Sequence, residues 1–244
     1  MINVAGLFKY YQGVCALNGL TFDVTAGSIV GVAGANGAGK STLFDILTTL
    51  DRDYVGDVLV GGMDTKREFR EIRKVVGYVP GSFSLYPDLT VAENISFFAG
   101  MYGFDTSYLS NSSFWNSLKG FADRRACHLS GGMKQKLSII CAMVHSPKVL
   151  FLDEPTTGLD SGSRDAIWEE LVQMKNNGMT IVASTHYYEE FGFMDKLLFL
   201  HQGNQLLYES LGDITGGVAM SNHFYDEYLS HVLEKYLKVQ NGNR

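Results

Sequence analysis

Long apolar runs separated by a helix-patterned segment dominate the second half of the chain. The stretches KVLFLD (148–153) and MTIVAST (179–185) are almost continuously apolar, and the segment between them, DSGSRDAIWEELVQMKNNG (160–178), reads as helical. Strands that are apolar throughout are buried on both faces, which is typical of parallel strands joined by crossover helices. The pattern therefore predicts an α/β main body with a mostly parallel sheet.

Shorter β-rich runs lie on either side of this pattern. The opening of the chain, from VAGLFKY to SIVGVA, is broken by Gly13, Gly19 and Gly27 and predicts several strands, which we assign to an N-terminal antiparallel β part. Near the other end, KLLFLHQGNQLLY (196–208) places HQGN between two apolar segments. This second pattern predicts a hairpin.

Residues 82–119 differ in character, because they are rich in aromatic residues and lack a convincing strand. Within them, TVAENISFFAGMY begins with a capping box formed by Thr90 and Glu93. The apolar residues on one face of the resulting helix are Val91, Ile95, Phe98 and either Met101 or Tyr102. We expect a small helical subdomain over about residues 82–145.

The last residues, 216–244, predict an element of their own. The apolar residues that recur there at helical spacing are Tyr225, Tyr228, Leu229, Val232 and Tyr236. This spacing indicates an amphipathic helix that docks on the body. We therefore divide the chain into a domain of residues 1–215 and a C-terminal helix.

The stretch GANGAGKST follows the apolar run SIVGVA and has the spacing G-x-x-x-x-G-K-S. Its glycines, which let backbone N–H groups point inward at phosphate oxygens, are Gly34, Gly37 and Gly39. Lys40 would reach the outer phosphates and Ser41 would offer its hydroxyl to Mg²⁺, at the positive N-terminal end of the helix that follows. A plain glycine-rich turn is the alternative, but the full pattern between strand and helix predicts a P-loop NTPase core.

A phosphate loop needs a carboxylate nearby, because Mg²⁺ is usually held by one or two carboxylates together with phosphates and waters. Asp153 ends an apolar run, so it would lie at the carboxyl end of a buried strand, where ligands bind in open α/β sheets. Glu154 projects differently and is a candidate general base for the water that attacks the γ-phosphate. Two solvated acids at a strand end are the alternative interpretation.

Composition excludes several classes of partner. A formal net charge of −6 argues against binding to a nucleic-acid backbone, and the basic stretch KREFREIRK (66–74) interleaves Glu68 and Glu71 as a solvated helix face does. No run approaches 18 consecutive apolar residues, so we expect no membrane span. The N-terminus, MINVAGLFKYYQG, lacks a charged n-region followed by an apolar h-region, so we expect no secretory leader. The cysteines, Cys15, Cys127 and Cys141, are few and widely spaced, which fits reduced thiols rather than a disulfide framework.

Five motifs in order, GANGAGKST, LSGGMKQ, FLDEP, TTGLD and STH, closely resemble the nucleotide-binding subunit of ABC transporters over roughly residues 2–210. By itself LSGGMKQ would be an ordinary helix N-cap at Ser130. The resemblance implies instead that this serine closes over ATP held by the phosphate loop of a second subunit, together with Gly131 and Gly132. It thus implies two MgATP sites at a head-to-tail dimer interface.

The resemblance also implies roles for single residues. Lys40, Ser41 and Thr42 would hold phosphates and Mg²⁺, with the other loop positions that bind the nucleotide being Gly34, Asn36, Gly37, Ala38 and Gly39. Asp153 would hold the metal's water shell and Glu154 the attacking water. Asp160 resembles the residue that links the two sites, and His186 resembles the switch histidine on the γ-phosphate. Tyr11 aligns with the aromatic residue that stacks on adenine, although Tyr10 beside it is a rival.

The chain departs from the family at one point. Where the family usually reads GYVPQ, this chain reads GYVPG, with Gly81 in place of the glutamine that touches both Mg²⁺ and the membrane partner. Ser82 or Ser84 could substitute, or hydrolysis could be slow. The segment before LSGG is also shorter than usual, which trims the helical subdomain where the partner normally docks.

These observations together predict an ATP-hydrolysing subunit that drives a separate transmembrane permease from the cytoplasmic face of the cell membrane, with export as the direction. ATP and Mg²⁺ are the expected cofactors, a second ATP-binding subunit (the same chain or another) completes the dimer, and nucleic acid is not an expected partner. Two alternatives stay open: a regulatory subunit with impaired catalysis, suggested by Gly81, and a non-transport ATPase of the same family.

Overall fold

The computed structural model describes residues 1–104 and 113–215, and the structural statements below concern those residues. The C-terminal amphipathic helix predicted for residues 216–244 lies outside them.

The described residues contain ten strands and seven α-helices. The strands are β1 (Ile2–Tyr11), β2 (Val14–Val24), β3 (Ile29–Ala33), β4 (Val55–Val60), β5 (Met63–Asp64), β6 (Val76–Val79), β7 (Val149–Leu152), β8 (Thr180–Thr185), β9 (Lys196–His201) and β10 (Asn204–Ser210). The helices are α1 (Lys40–Leu47), α2 (Phe69–Val75), α3 (Val91–Tyr102), α4 (Ser113–Leu118), α5 (Gly131–Met143), α6 (Ser161–Asn176) and α7 (Leu211–Thr215).

The larger sheet has six strands in the order β10-β9-β3-β8-β7-β6. All neighbouring pairs are parallel except β9 and β10, which form an antiparallel hairpin at one edge. Helix α6 connects the parallel neighbours β7 and β8, as the alternation of apolar and helix-patterned segments predicts. The α/β fold with a mostly parallel sheet is therefore confirmed, and so is the hairpin around HQGN.

The smaller sheet is antiparallel, with the strand order β2-β1-β4-β5. The expectation that Gly19 breaks a strand is wrong, because β2 continues through it. Gly19 has φ +69°, and the ladder between β1 and β2 shifts register on either side of the pair formed by Leu7 and Leu20. A glycine in a strand often marks a bulge of this kind rather than its end.

The hydrophobic core has two parts, one on each face of the larger sheet. Neighbouring residues of β3 belong to different parts: Ile29 packs with the cluster that contains Trp168 of α6, and Val30 packs with the cluster that contains Phe44 of α1 and the smaller sheet. This alternation is what a strand buried on both faces requires. The larger sheet therefore lies between two packed layers, which hold the carboxyl ends of its parallel strands in place.

Helices α3, α4 and α5 lie in the range assigned from the sequence to the helical subdomain. The capping box at the start of α3 is present, since Glu93 N donates to Thr90 Oγ1 and Thr90 N donates to the Glu93 carboxylate. Val91 and Ile95 are buried as expected, whereas Met101 is exposed. Tyr102 is the alternative that makes a contact, stacking on His145 with ring centroids 4.1 Å apart.

Within the described residues, no helix has both the length and the apolar character that crossing a membrane requires.

Candidate functional site

The phosphate loop joins the end of β3 to the start of α1. Gly34 has φ +153°, and a Cβ placed on it would lie 2.4 Å from the Leu200 carbonyl oxygen. Gly39 has φ +106°, and a Cβ there would lie 2.7 Å from the Leu17 side chain. Both positions therefore require glycine, for conformation and for space alike. At these two glycines the loop therefore packs closely against β9 and β2.

Lys40, the first residue of α1, is buried under the loop. Its Nζ donates to the carbonyl oxygens of Gly34, at 2.8 Å, and Ala35, at 3.3 Å. The same ammonium lies 3.4 Å from Glu154 Oε1. A buried cation needs such partners, because an unpaired charge in the interior is strongly disfavoured. The cation is thus held at the bottom of the loop by the chain itself.

The carboxylate of Asp153 lies at the carboxyl end of β7, beside the start of α1. Ser41 Oγ donates to its Oδ2 at 3.1 Å, and Ser184 Oγ from β8 donates to its Oδ1 at 2.5 Å. Ser184 Oγ in turn accepts from Glu154 N at 2.8 Å. No motif in the sequence marks Ser184 itself, although it stands two residues before His186 in STH. It links the two acidic residues to the neighbouring strand.

Glu154 occupies the centre of the site. Its backbone is in the left-handed region, with φ +47°. One carboxylate oxygen faces Lys40, as described above, and the other lies 3.5 Å from His186 Nδ1 and accepts from Thr157 Oγ1 at 3.2 Å. A non-glycine residue with positive φ is strained, and such strain is often found at functional sites. The structure therefore brings together Lys40, Glu154 and His186.

The oxygen atoms near the loop fit a Mg²⁺ ion. Ser41 contributes a hydroxyl and Asp153 a carboxylate, and these are the hard oxygen donors that Mg²⁺ prefers. Among residues 1–104 and 113–215, no group of three or more His, Cys, Asp or Glu side chains is placed to cage a metal ion. Since Mg²⁺ usually takes only one or two protein ligands and completes its shell with phosphates and waters, this sparse donor set suits it.

A cavity of about 460 Å³ opens above the phosphate loop. Its lining comprises Val14, Cys15, Ala16, Asn36, Gly37, Gly39, Lys40, Ser41, Thr42, Glu154, Gln202 and Gly203. Gln202 and Gly203 belong to the turn of the β9–β10 hairpin, and no motif in the sequence marks them as lining residues. A cavity of this size is within the range typical of small-molecule sites.

Ser130 and Asp160 are absent from that lining and lie together elsewhere on the chain. Ser130 caps α5 by accepting from Met133 N at 3.3 Å, and Asp160 caps α6 by accepting from Ser163 N at 2.9 Å. A Cβ on Gly132 would lie 3.1 Å from Ser163 Oγ, so the two helix starts are in contact. The bonds from the Ser163 backbone and hydroxyl lower the pKa of Asp160.

Tyr11 ends β1 and pairs with Val14, which lines the cavity. Its ring is 44% exposed, and its hydroxyl donates to Asp51 Oδ2 at 3.1 Å. Burial and the Asp51 carboxylate raise the pKa of this phenol, and the hydroxyl of Thr42, at the phosphate loop, acts in the opposite direction. Tyr10, the rival candidate, is 50% exposed and pairs with Cys15.

Gly81 lies just after β6, next to the Asp153 carboxylate. Its φ is outside the left-handed region, and a Cβ placed on it would lie 3.2 Å from the carbonyl oxygen and 3.8 Å from Oδ2 of Asp153. The backbone conformation therefore does not demand glycine here, although an added Cβ would press on the Asp153 carbonyl, and a longer side chain would start close to the Asp153 carboxylate. Ser84 lines a different cavity, described below, and Ser82 is exposed.

Replacing Gly81 by glutamine is expected to lower the Mg²⁺ concentration needed for half-maximal ATPase activity. The glutamine would supply an oxygen beside Asp153 that the natural chain lacks, and each added protein ligand should tighten the ion. Mg²⁺ titrations of the ATPase rate measure the shift. Gly81→Ala is the matched control, because it adds the Cβ without the oxygen.

An unshifted titration in Gly81→Gln would contradict this expectation. A shift in Ser82→Ala or Ser84→Ala instead would show that one of these serines already holds the ion.

Comparison with known proteins shows which sequence family this chain matches. The sequence family described as ABC transporter matches residues 17–157. The chain is 36% identical over 207 residues to a probable multidrug ABC transporter ATP-binding protein, YbhF, of Escherichia coli, covering 83% of this chain but only 36% of that protein. It is also 36% identical over 210 residues to the Nod factor export ATP-binding protein I of Rhizobium sp., covering 84% of this chain and 69% of that protein.

A solved structure is similar as well. It is the dimeric structure of a post-hydrolysis state of the ATP-binding cassette MJ0796 bound to ADP and Pi, with a TM-score of 0.78 and 27% identity. The alignment covers 86% of this chain and 99% of that one. The chain therefore has the fold of an ATP-binding cassette.

Proposed function

Because this chain belongs to the ABC transporter family, we propose that it binds and hydrolyses MgATP to drive a separate transmembrane permease. The observation that carries the proposal is the cluster at the phosphate loop, in which Lys40, Glu154 and His186 converge and Ser41 bonds Asp153. A cation, a base and a hard-oxygen pair around one phosphate-sized loop are the groups that phosphoryl transfer to water needs.

Within this site each group has one task. The loop N–H groups and Lys40 bind the phosphate oxygens and stabilise the charge that develops on them. Glu154 orients the attacking water and accepts its proton, and His186, whose Nδ1 is 3.5 Å from the Glu154 carboxylate, would contact the γ-phosphate. Mg²⁺ held by Ser41 and Asp153 would neutralise phosphate charge.

A second subunit completes the site in this proposal. Ser130 and Asp160 lie away from the cavity of their own chain, and they form one surface with the starts of α5 and α6. The N-terminus of α5 carries N–H groups that favour an anion. A head-to-tail dimer would place this surface over the ATP of the partner, consistent with the dimeric form of the related cassette.

The permease would dock in a second cavity, of about 320 Å³, between β6 and the helices α3 and α5. Its lining includes Leu50, Arg73, Phe98, Tyr102 and His145. Leu50 and Tyr102 are well exposed although apolar in character, at 60% and 43%. Exposed apolar side chains that line one groove indicate an interaction site.

His145 provides one hydrogen-bond acceptor in this cleft. The Val76 carbonyl can only accept, so His145 Nε2 carries the proton that it donates at 2.9 Å. Burial lowers the pKa of His145 and keeps the ring neutral at pH 7. Nδ1 is then a buried acceptor without a partner among the described residues. A permease segment that brings a hydroxyl or N–H group into the cleft would satisfy it.

Export from the cytoplasmic side is the direction that the relatives' names favour, since they include multidrug and Nod factor export proteins.

A regulatory, catalytically impaired subunit is the second candidate, and Gly81 next to Asp153 is the observation that favours it. A steady-state ATPase assay separates the two, because an impaired subunit would bind ATP without turning it over.

Permease coupling is tested by purification from detergent-solubilised membranes. We expect the chain to retain a protein with several membrane-spanning segments, identified by mass spectrometry, and Leu50→Arg in the cleft to lose it while hydrolysing ATP normally. Val55→Arg is the matched control, because Val55 is equally exposed at 63% but lies on β4, outside the cleft lining. Equal retention by all three chains would contradict docking in this cleft.

A further inference from the structure

A buried lysine and an aspartate contact Tyr11, whose partner on β2, Val14, lines the cavity above the phosphate loop. Lys9 belongs to β1, two residues before Tyr11, and is only 3% exposed. Its Nζ lies 2.7 Å from Asp51 Oδ2 and donates to the Asp53 carbonyl at 2.5 Å. Asp51 lies between α1 and β4. No motif in the sequence marks either residue, and the proposed hydrolysis uses neither.

The Asp51 carboxylate accepts from three donors. Oδ2 accepts from both Lys9 Nζ and the Tyr11 hydroxyl, at 2.7 and 3.1 Å, and Oδ1 accepts from Asp53 N at 2.9 Å. Burial opposes ionisation of Asp51, but these bonds and the Lys9 charge outweigh it and lower its pKa. For Lys9 too, burial disfavours the charge, and the bond and attraction to Asp51 outweigh it, so that its pKa is raised. Both groups are therefore charged at neutral pH.

The Tyr11 ring is held at two points by this pair. Its hydroxyl is tied to Asp51, and the Lys9 ammonium lies over one face of the ring, 4.6 Å from the centroid. A cation at that distance is attracted by the ring face. Because Lys9 occupies one face and the ring is 44% exposed, a planar base can stack only on the other face. The tether at the hydroxyl fixes which way that face points.

We propose that Lys9 and Asp51 are positioning residues for the adenine base, which act through Tyr11 by fixing its ring beside the cavity. This inference rests on the proposed function, because it takes the cavity to hold ATP and Tyr11 to stack on its base. Without the pair, the ring would rotate freely, and stacking would carry the entropy cost of ordering the side chain on binding. Only binding of the base then depends on Lys9 and Asp51, since the phosphates are held by the loop and Lys40.

A purely structural role is the competing explanation. The bond from Lys9 to the Asp53 carbonyl could serve only to attach residues 51–53 to β1. In that case the Tyr11 hydroxyl would be dispensable, and loss of Lys9 would disturb the fold without favouring one part of the nucleotide over another. The two explanations differ in which ligand a variant fails to bind.

The experiment compares two probes on the full chain: a non-hydrolysable ATP analogue and inorganic tripolyphosphate. We expect Tyr11→Phe, Asp51→Asn and Lys9→Met each to weaken binding of the analogue about 3- to 10-fold and to leave tripolyphosphate binding unchanged. This loss of affinity is a part of what stacking of one base contributes to binding. In steady state the KM for ATP should rise with little change in kcat. Lys9→Arg should restore most of the affinity, and Lys74→Met, an exposed lysine on α2, is the control for removing a cation.

Tyr11→Phe keeps the test decisive where a charge variant unfolds, because it removes one hydroxyl and no charge. Unchanged analogue binding in Tyr11→Phe and in the folded charge variants would overturn the inference, and so would an equal loss of both probes. Tyr11→Ala separates the two levels of the argument. If it binds the analogue normally, the stacking role in the proposed function fails; if it alone weakens binding, only the positioning role of Lys9 and Asp51 fails.

Discussion

Glu154→Gln is expected to bind ATP as tightly as the natural chain and to hydrolyse it about 10² to 10⁴ times more slowly, the usual effect of losing a general base. The amide can still accept a hydrogen bond from Lys40, which lies 3.4 Å from the carboxylate, so the phosphate loop keeps its arrangement. It cannot take a proton from water. ATP should then hold the chain as a dimer, which light scattering or size-exclusion chromatography detects.

The matched control is Glu169→Gln, the same chemical change on the exposed side of α6, which should leave the rate unaltered. If Glu154→Gln hydrolyses ATP at the rate of the natural chain, Glu154 is not the base and His186 becomes the next candidate to test.

Two inactive variants are expected to restore activity when mixed. Ser130→Arg should block the surface that covers the ATP of the partner, and Lys40→Ala should prevent phosphate binding in its own chain. Ser130 lies outside the lining of the cavity of its own chain, so in the proposed head-to-tail dimer it would contribute to the site of the partner. A mixed dimer then has about one working site, formed by Lys40 of the first chain and Ser130 of the second, as a head-to-tail arrangement requires. The ATPase rate of the mixture measures it.

Mixing Lys40→Ala with a chain that carries both substitutions provides the control, because no combination in that mixture has an intact phosphate loop. Failure of the first mixture to hydrolyse ATP, with mixed dimers demonstrated by differently tagged chains, would show that the sites are not shared.

The parts of the site that could be predicted from the sequence are those fixed by short-range rules. A phosphate loop is one unbroken stretch whose glycines meet a local steric demand, as Gly34 and Gly39 do. Asp153 follows an apolar run, and the ends of parallel strands meet at one edge of a sheet. The capping box at Thr90 is similarly local. In each case, neighbours within a few positions along the chain determine the outcome.

What the sequence could not show depends on contacts between distant segments. Ser184 reaches Asp153 only because β7 and β8 are adjacent, and Gln202 and Gly203 reach the cavity only because the β9–β10 turn folds over it. Lys9 and Asp51 are 42 positions apart and meet through a loop with no motif of its own. Gly19 lies inside β2 and not between two strands, and local sequence does not distinguish these cases, because a glycine in either place has the same neighbours in kind.

The burial of Lys40 divides the energetics of the site between folding and ligand binding. Its ammonium is 6% exposed and hydrogen-bonded to backbone carbonyls, so water has been stripped from it before any phosphate arrives. Removing a cation from water costs several kcal/mol, which partners repay only in part. This penalty therefore lowers the free energy of unfolding of the ligand-free protein. When a triphosphate binds, Lys40 contacts anionic phosphate oxygens instead of carbonyl oxygens. These more favourable contacts then stabilise the whole domain against unfolding.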